Sequence, residues 1–65
     1  MPETNLKRLR QAAGLTQKEL AEKSGVNLRT LQSYEQRKKD INGIHLDAGL
    51  RIAEALNTDA KNLLE

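Results

Sequence analysis

The chain contains no cysteine, tryptophan or phenylalanine among its 65 residues. Without cysteine, neither disulfide bonds nor thiolate metal sites can stabilise a chain of this length. Tyr34 is the only aromatic residue, which disfavours a β-sheet because strands are usually rich in aromatic and β-branched residues. The hydrophobic residues make up 37% of the chain and are mostly Leu, Ala and Ile. This composition predicts an all-α fold of short packed helices.

Long hydrophobic runs and recognisable catalytic groups are also missing. No apolar run approaches the roughly 20 residues that span a membrane, and no signal-peptide core is visible, so a soluble cytoplasmic protein is expected. His45 is the only histidine and has no Cys or second His as a possible partner. We interpret it as an exposed loop residue and expect no enzymatic activity, no metal site and no cofactor.

Charge is distributed unevenly along the chain, although the net charge is only +2. Residues 1–39 carry nine Lys and Arg against four Asp and Glu, a balance of +5. Residues 40–65 carry two against five, a balance of −3. A basic first part and an acidic second part predict a polyanionic partner on one side of the protein.

Residues 16–35 have the pattern of two helices joined by a short turn. Thr16 and Glu19 have the Thr-x-x-Glu spacing of a capping box, which begins a helix. Gly25 stands where that helix can end in a left-handed conformation, and Asn27 is a preferred N-cap for the next helix. Two helices with such a turn form a helix-turn-helix, whose second helix can enter the major groove of DNA.

Helices are also predicted on either side of this motif. The full set is residues 5–13, 17–24, 28–37, 46–56 and 59–64. The positions expected to face inward are Leu6, Leu9, Ala13, Leu20, Leu31, Tyr34, Leu50, Ala53, Leu56, Leu63 and Leu64. Residues 38–46 are a connection with a short helical turn over 40–43, and Ile41 and Ile44 are expected to attach it to the core.

The predicted fourth helix contains one unfavourable residue and one suitable end. Gly49 lies within it, where glycine costs about 1 kcal/mol relative to alanine. Either a neighbouring helix approaches closely at Gly49 or the helix begins later than predicted. Asn57 suits the end of this helix because asparagine tolerates the left-handed conformation, and Thr58 is the predicted cap of the fifth helix.

Three segments of the chain resemble the phage repressor and Cro-like helix-turn-helix family, also called the XRE family. They are Gly14-Leu-Thr-Gln-Lys-Glu-Leu-Ala21, Gly25-Val-Asn27 and Leu31-Gln-Ser-Tyr-Glu35. The resemblance implies a compact five-helix bundle in one domain, residues 1–65, of the lambda-repressor-like type. It further implies a small bacterial regulator of transcription, a repressor in function, that binds double-stranded operator DNA as a homodimer.

The same resemblance gives some residues a specific role. In relatives, an Arg on the first helix pairs with the Glu that ends the third, which implies a structural ion pair between Arg10 and Glu35. The chain departs from the family at two positions. Arg37 stands where a Gly is common, so the third helix is expected to extend to it. Gly49 stands where the family has a large apolar residue.

Base readout is expected from outward-facing residues near the start of the recognition helix, together with the glutamine that opens the second helix. The candidates are Gln17, Leu28, Arg29, Gln32 and Ser33. Arg29 can bond bidentately to guanine O6 and N7, and its alternative role is a phosphate contact. Leu28 can contact a thymine methyl group or can instead pack on the turn between the helices.

Phosphate contacts are expected at the start of the second helix and in the basic run after the third. A helix N-terminus offers amide groups and a positive dipole to phosphate, and the basic run supplies affinity that depends on salt. The candidates are Arg10, Thr16, Lys18, Gln36, Arg37, Lys38 and Lys39.

Two readings of the function differ in the partner. The first is sequence-specific DNA binding for transcriptional regulation, with dimerisation through the acidic surface of the fourth and fifth helices, in solution or only on DNA. The alternative is an antitoxin or adaptor of the same fold that acts mainly through a protein partner of unknown identity.

Overall fold

A computed structural model describes residues 3–65, so the first two residues of the predicted domain lie outside the described residues. This part of the chain contains four α-helices and no strand. They are α1 Asn5–Ala12, α2 Gln17–Ser24, α3 Leu28–Glu35 and α4 Leu46–Ala55. Two 3₁₀ helices, Ile41–Gly43 and Ala60–Leu63, complete the helical structure. The all-α prediction is confirmed, and so is the short helical turn near residues 40–43.

The predicted fifth α-helix, residues 59–64, is wrong, because this segment forms only the second 3₁₀ helix. Its hydrogen bonds join Asn62 N to Asp59 O at 3.0 Å and Leu64 N to Lys61 O at 3.3 Å, the i to i+3 pattern. The predicted cap, Thr58, donates its amide to Ala53 O at 2.9 Å, and its hydroxyl accepts from the side-chain Nδ2 of Asn62 at 2.9 Å and not from a backbone amide.

Side-chain caps set the beginning of the first three helices. The hydroxyl of Thr4 accepts from the amide of Lys7 in α1, and the hydroxyl of Thr16 accepts from the amide of Glu19 in α2. The side chain of Asn27 begins α3 in the same way. These bonds satisfy amides that have no partner within their own helix.

Three helices end in the same hydrogen-bonded arrangement around a left-handed residue, the Schellman motif. Gly14 ends α1, Arg37 follows α3 and Asn57 follows α4, with φ of 74°, 60° and 56°. At α3, Lys38 N donates to Ser33 O at 2.8 Å and Arg37 N to Tyr34 O at 3.2 Å. The expectation that α3 extends to residue 37 is therefore wrong. Arg37 adopts the left-handed conformation itself and ends the helix as the more common Gly would.

The core takes one fully buried side chain from each α-helix and from the second 3₁₀ helix. These are Leu6, Leu20, Leu31, Ile52 and Leu63. The helix α2 packs against both α3 and α4, and α1 packs against α3. Ile41 attaches the connection after α3 to this core, with only 4% of its surface exposed. These contacts with α1 and α4 hold α2 and α3 in a fixed relative orientation.

Some positions predicted to face inward are exposed. Leu50 is 51% exposed and Leu64 44% exposed, and Ala13 also lies on the surface. In α4 the predicted Ala53 is buried, and Gly49 and Ile52 take the place of Leu50 on the buried face. The amphipathic pattern of α4 permits either face, and the packing of α2 against this helix selects the Ile52 face.

Gly49 lies on the buried face of α4, and the helix begins at Leu46 as predicted. A Cβ atom at Gly49 would lie 3.5 Å from Cγ2 of Ile44, which is an ordinary van der Waals contact. Of the two explanations for Gly49, the later helix start is therefore wrong. The side chain of Ile44 is the near neighbour, and it leaves room for a methyl group.

Candidate nucleic-acid interface

The turn between α2 and α3 is three residues long, as the sequence predicts. Gly25 has φ of 74°, and its amide donates to Ala21 O at 2.9 Å, which ends α2. The hydroxyl of Ser24 then accepts from Val26 N at 3.2 Å, and Oδ1 of Asn27 accepts from Arg29 N at 2.8 Å. Each residue of the turn is thus fixed by a local hydrogen bond, and the orientation of α3 relative to α2 is well defined.

A complete capping box begins α2 and exposes its N-terminus. Thr16 N donates to Oε1 of Glu19 at 2.8 Å, and Glu19 N donates to Oγ1 of Thr16 at 3.1 Å. The bond that the Glu19 carboxyl accepts from the Thr16 amide, with a smaller contribution from the Thr16 hydroxyl, lowers the pKa of this carboxyl. The first intrahelical bond is from Leu20 N to Thr16 O, so the amides of Gln17 and Lys18 precede the hydrogen-bonded ladder. Such amides are suited to contact with phosphate.

Arg10 on α1 and Glu35 at the end of α3 form a nearly buried ion pair. Arg10 Nε donates to Oε2 of Glu35 at 2.8 Å, and Nη2 donates to Oε1 at 3.0 Å. The Nη1 atom donates to the carbonyl of Leu15 at 2.8 Å. Only 10% of the Arg10 side chain and 3% of the Glu35 side chain are exposed. All three guanidinium nitrogens of Arg10 bond within the protein, which fits the predicted structural ion pair, and the phosphate contact of Arg10 stays a prediction.

The carboxylate of Glu35 also holds a side chain of α2. Nε2 of Gln17 donates to Oε1 of Glu35 at 3.2 Å, and Nε2 of Gln32 donates to Oε1 of Gln17 at 3.4 Å. These bonds connect α1, α2 and α3 through one sequence of contacts, Arg10 to Glu35 to Gln17 to Gln32. We call the last three residues the glutamine relay. It brings together two of the residues predicted to read bases, Gln17 and Gln32.

The other three predicted base-reading residues lie at different depths on α3. Arg29 is exposed. Ser33 is half-buried and its hydroxyl donates to the carbonyl of Arg29 at 3.0 Å, which leaves its oxygen lone pairs as acceptors. Leu28 is partly buried and packs against the core. Its packing favours the interpretation that Leu28 supports the turn between the helices.

The basic segment after α3 is folded back on the end of the helix. The amides of Lys38 and Lys39 both donate to Ser33 O, at 2.8 and 3.3 Å, and both side chains are exposed, as is that of Gln36. Arg37 differs because its Nη1 lies 3.2 Å from Oε1 of Glu65. The predicted basic run thus presents two exposed lysines beside α3 and one arginine that is paired with a carboxylate.

Glu65 connects this basic segment to the start of α1. Its Oε2 accepts from Asn5 N at 2.7 Å, and its own amide donates to Oδ1 of Asn42 at 3.0 Å. The bond from the Asn5 amide, together with the ion pair to Arg37, lowers the pKa of the Glu65 carboxyl.

Two connections among the predicted interface residues were not predicted from the sequence. The bond between Gln17 and Glu35 joins positions 18 apart, and the ion pair of Arg37 joins the segment after α3 to Glu65. The Thr-x-x-Glu box places Gln17 in the first turn of α2, and that was the only available indication that its side chain points toward the end of α3.

Metal-binding and membrane-spanning features are not found in the described residues. Within residues 3–65, no group of three or more His, Cys, Asp or Glu side chains is arranged to hold a metal ion. Among the helices of this region, none combines the length and apolar character that crossing a membrane requires.

The capped α2, the three-residue turn and the α3 packed across it define a helix-turn-helix protein. The model of the helix-turn-helix family matches residues 6–61, which is most of the chain. The chain therefore belongs to the XRE-type, Cro and repressor-like helix-turn-helix family, a family of DNA-binding transcription regulators and not of enzymes. No curated protein and no solved structure matched the chain.

Proposed function

We propose that residues 1–65 act as a sequence-specific repressor of transcription that places α3 in the major groove of double-stranded operator DNA. The observation that carries this proposal is the exposure of Arg29, Lys38 and Lys39 along and just after the second helix of the motif. A cationic side chain on a rigid recognition helix can reach a base edge, while lysines at its end can meet the sugar-phosphate backbone.

In this proposal the phosphate contacts lie at the two ends of the motif. The N-terminus of α2 supplies the amides of Gln17 and Lys18, together with the exposed side chain of Lys18. The segment after α3 supplies Lys38 and Lys39, and Thr16, Gln36 and Arg37 lie beside these two groups. These contacts position the protein on the duplex and supply the salt-dependent part of the affinity.

Arg29 is proposed to be the main direct reader of sequence on α3. It lies in the first turn of the helix, where side chains of a recognition helix meet base edges. Its guanidinium can bond bidentately to O6 and N7 of guanine. Ser33 and Gln32 lie one turn further along, and Leu28 supports the turn by packing.

The repressor is proposed to bind as a homodimer, with the exposed face of α4 at the interface. Leu46 and Leu50 are 73% and 51% exposed, one turn apart on α4. Asp47 and Arg51 pair beside them at 3.3 Å. A two-fold axis would bring the same apolar and charged groups of two copies together. It would also place two α3 helices about one helical turn of DNA, roughly 34 Å, apart on a palindromic site.

The function is tested by selecting binding sites from random duplex DNA with the wild-type protein and with Arg29→Ala. We expect the wild type to enrich a two-fold symmetric sequence, and Arg29→Ala to lose preference at one base pair of each half-site. Lys61→Ala is the matched control, since Lys61 is an exposed cation in the acidic part of the chain. It is expected to select the same sequence as the wild type. Failure to enrich any duplex, even at low salt, would contradict the proposal and favour a protein partner.

Dimerisation is tested on the selected duplex by sedimentation. Two copies per duplex are expected, and the double variant Leu46→Ser/Leu50→Ser is expected to bind a single half-site while losing most of its affinity for the full site. One copy per full site, or an unchanged affinity of the double variant, would contradict dimerisation through α4.

A further inference from the structure

The carboxylate of Glu35 determines which way the side-chain amide of Gln17 points. A carboxylate oxygen only accepts hydrogen bonds, so the group facing Oε1 of Glu35 at 3.2 Å has to be the Nε2 donor of Gln17. The carbonyl oxygen of Gln17 then points away from Glu35. Without such a partner, a glutamine amide could adopt either of two opposite orientations.

The orientation of Gln17 in turn restricts that of Gln32. Oε1 of Gln17 is an acceptor, so the atom of Gln32 that faces it at 3.4 Å is the Nε2 donor. A glutamine amide has two N–H donors and one carbonyl acceptor. Gln32 therefore keeps one N–H and its carbonyl oxygen for an external partner. This is the donor and acceptor pair with which glutamine binds N7 and N6 of adenine.

Glu35 accepts a hydrogen bond from Gln17 in addition to those from Arg10. Arg10 already engages both of its carboxylate oxygens, through Nε and Nη2. Gln17 is a third donor, from a different helix, and both Gln17 and Gln32 are only half-buried at the surface of the motif. The nearly complete burial of Glu35, with 3% of its side chain exposed, makes it a fixed reference for these two half-buried amides.

We propose that Glu35 is a positioning residue, which acts through Gln17 to present the free edge of the Gln32 amide to one adenine in the major groove. The inference rests on the proposed function. Orienting the amide before binding reduces the side-chain entropy that is lost on the DNA. It also makes the donor and acceptor order of Gln32 fit adenine and not the arrangement of another base.

The test measures how much the affinity for DNA falls when a single atom of an adenine is removed. The probe is the duplex that the wild-type protein enriches from random DNA, with each adenine replaced in turn by 7-deazaadenine, which lacks the N7 acceptor. For the wild type, we expect one replacement per half-site to weaken binding by about tenfold. This corresponds to the lower part of the free-energy range of a bidentate contact to a base. In Gln32→Ala this penalty is expected to disappear.

The positioning role is measured with Gln17→Ala and Glu35→Gln. The glutamine at position 35 can accept or donate, so it no longer forces one orientation on Gln17. Both variants are expected to reduce the 7-deazaadenine penalty from about tenfold to less than threefold. In the Gln32→Ala background, neither change is expected to alter the penalty further, because Gln32 is the residue through which both act.

Two controls separate positioning from stability. Ile52→Val lowers stability from within the core, where Ile52 is fully buried, and is expected to keep the full penalty. Gln11→Ala removes an exposed glutamine of α1 that has no proposed DNA contact, and it is also expected to keep the full penalty. All affinities are measured at a temperature where circular dichroism shows each variant folded.

The results distinguish this inference from the function on which it depends. If the wild type enriches no duplex, the proposed function fails and the inference with it. If the wild type enriches a duplex but no adenine responds to 7-deazaadenine, DNA binding stands and the role of Gln32 is overturned. If Glu35→Gln and Gln17→Ala keep the tenfold penalty, or weaken all duplexes equally, the relay is structural and the positioning role is overturned.

Discussion

Arg10 and Glu35 lie 25 positions apart in the sequence and are joined by two nearly parallel hydrogen bonds of 2.8 and 3.0 Å. This fork connects α1 to the end of α3, and the third nitrogen of the guanidinium holds the carbonyl of Leu15 before α2. A single pair of charges therefore connects the elements on both sides of the motif. Its geometry gives the glutamate at the end of α3 a structural role.

Removing Arg10 alone is expected to destabilise the protein strongly. Arg10→Met leaves the carboxylate of Glu35 nearly buried without its cationic partner, which costs about 3 kcal/mol of unfolding free energy. The double variant Arg10→Met/Glu35→Leu is expected to recover much of this loss, since no buried charge remains. Urea unfolding measures both values. A loss below about 1 kcal/mol in Arg10→Met would show that the pair is screened by solvent.

Substitutions of Arg37 are expected to show how much its left-handed conformation lowers the stability of the protein. We compare Arg37→Gly with Arg37→Ala, because both lose the contact with Glu65 and only alanine keeps a Cβ atom. At φ of 60° the glycine variant is expected to be more stable than the alanine variant by about 1 kcal/mol. Equal stabilities of the two variants in thermal unfolding would contradict the observed end of α3.

Gly49→Ala is expected to stabilise the protein by about 1 kcal/mol, the difference between the two residues within a helix. The added methyl group would lie 3.5 Å from Cγ2 of Ile44, so it fills space without a clash. Gly25→Ala is the matched contrast, because φ there is 74° and the substitution should cost about 1–2 kcal/mol. Chemical unfolding of both variants measures whether each substitution raises or lowers the free energy of unfolding. Destabilisation by Gly49→Ala would mean that α4 packs more tightly than the structure indicates.

The capping box is expected to make stability depend on acid pH. The folded-state pKa of Glu19 is lowered from its ordinary value of 4.5 by the bonds from Thr16. Stability from this carboxylate is therefore fully present above pH 4.5 and is lost as the pH falls through the lower folded-state pKa. Glu19→Gln can keep the capping bond but does not titrate. Unfolding measured from neutral to acid pH should show a smaller loss in the variant, and identical profiles would contradict this account.

The helical elements could be predicted because their ends carry local signals. The Thr16 box, Gly25 and Asn27 act through neighbouring backbone groups, so α2, its turn and the beginning of α3 follow from a few adjacent residues. The end of α3 was missed because a left-handed Arg37 has no distinctive residue type. The left-handed conformation of Arg37 is locally unfavourable. The hydrogen bonds from the amides of Lys38 and Arg37 to carbonyl groups of α3 offset this free-energy cost.

The buried face of α4 and the connections within the interface could not be predicted, since they depend on tertiary contacts. Leu50 and Ile52 are both apolar, and only the packing of α2 decides that Ile52 is buried while Leu50 is exposed. The glutamine relay likewise joins side chains from two helices whose crossing the sequence does not specify. Arg10 and Glu35 could be paired in advance only through the family resemblance.

DNA binding through α2 and α3 is tested most directly by the salt dependence of affinity for duplex DNA. The wild type, Lys38→Ala and Lys61→Ala are titrated with the same duplex over a series of salt concentrations. The account predicts that affinity falls steeply with salt, and that Lys38→Ala lowers the slope of log K against log salt by about 1. Lys61→Ala, in the acidic part of the chain, should leave the slope unchanged. A slope near zero for the wild type, or equal slopes for the wild type and Lys38→Ala, would contradict it.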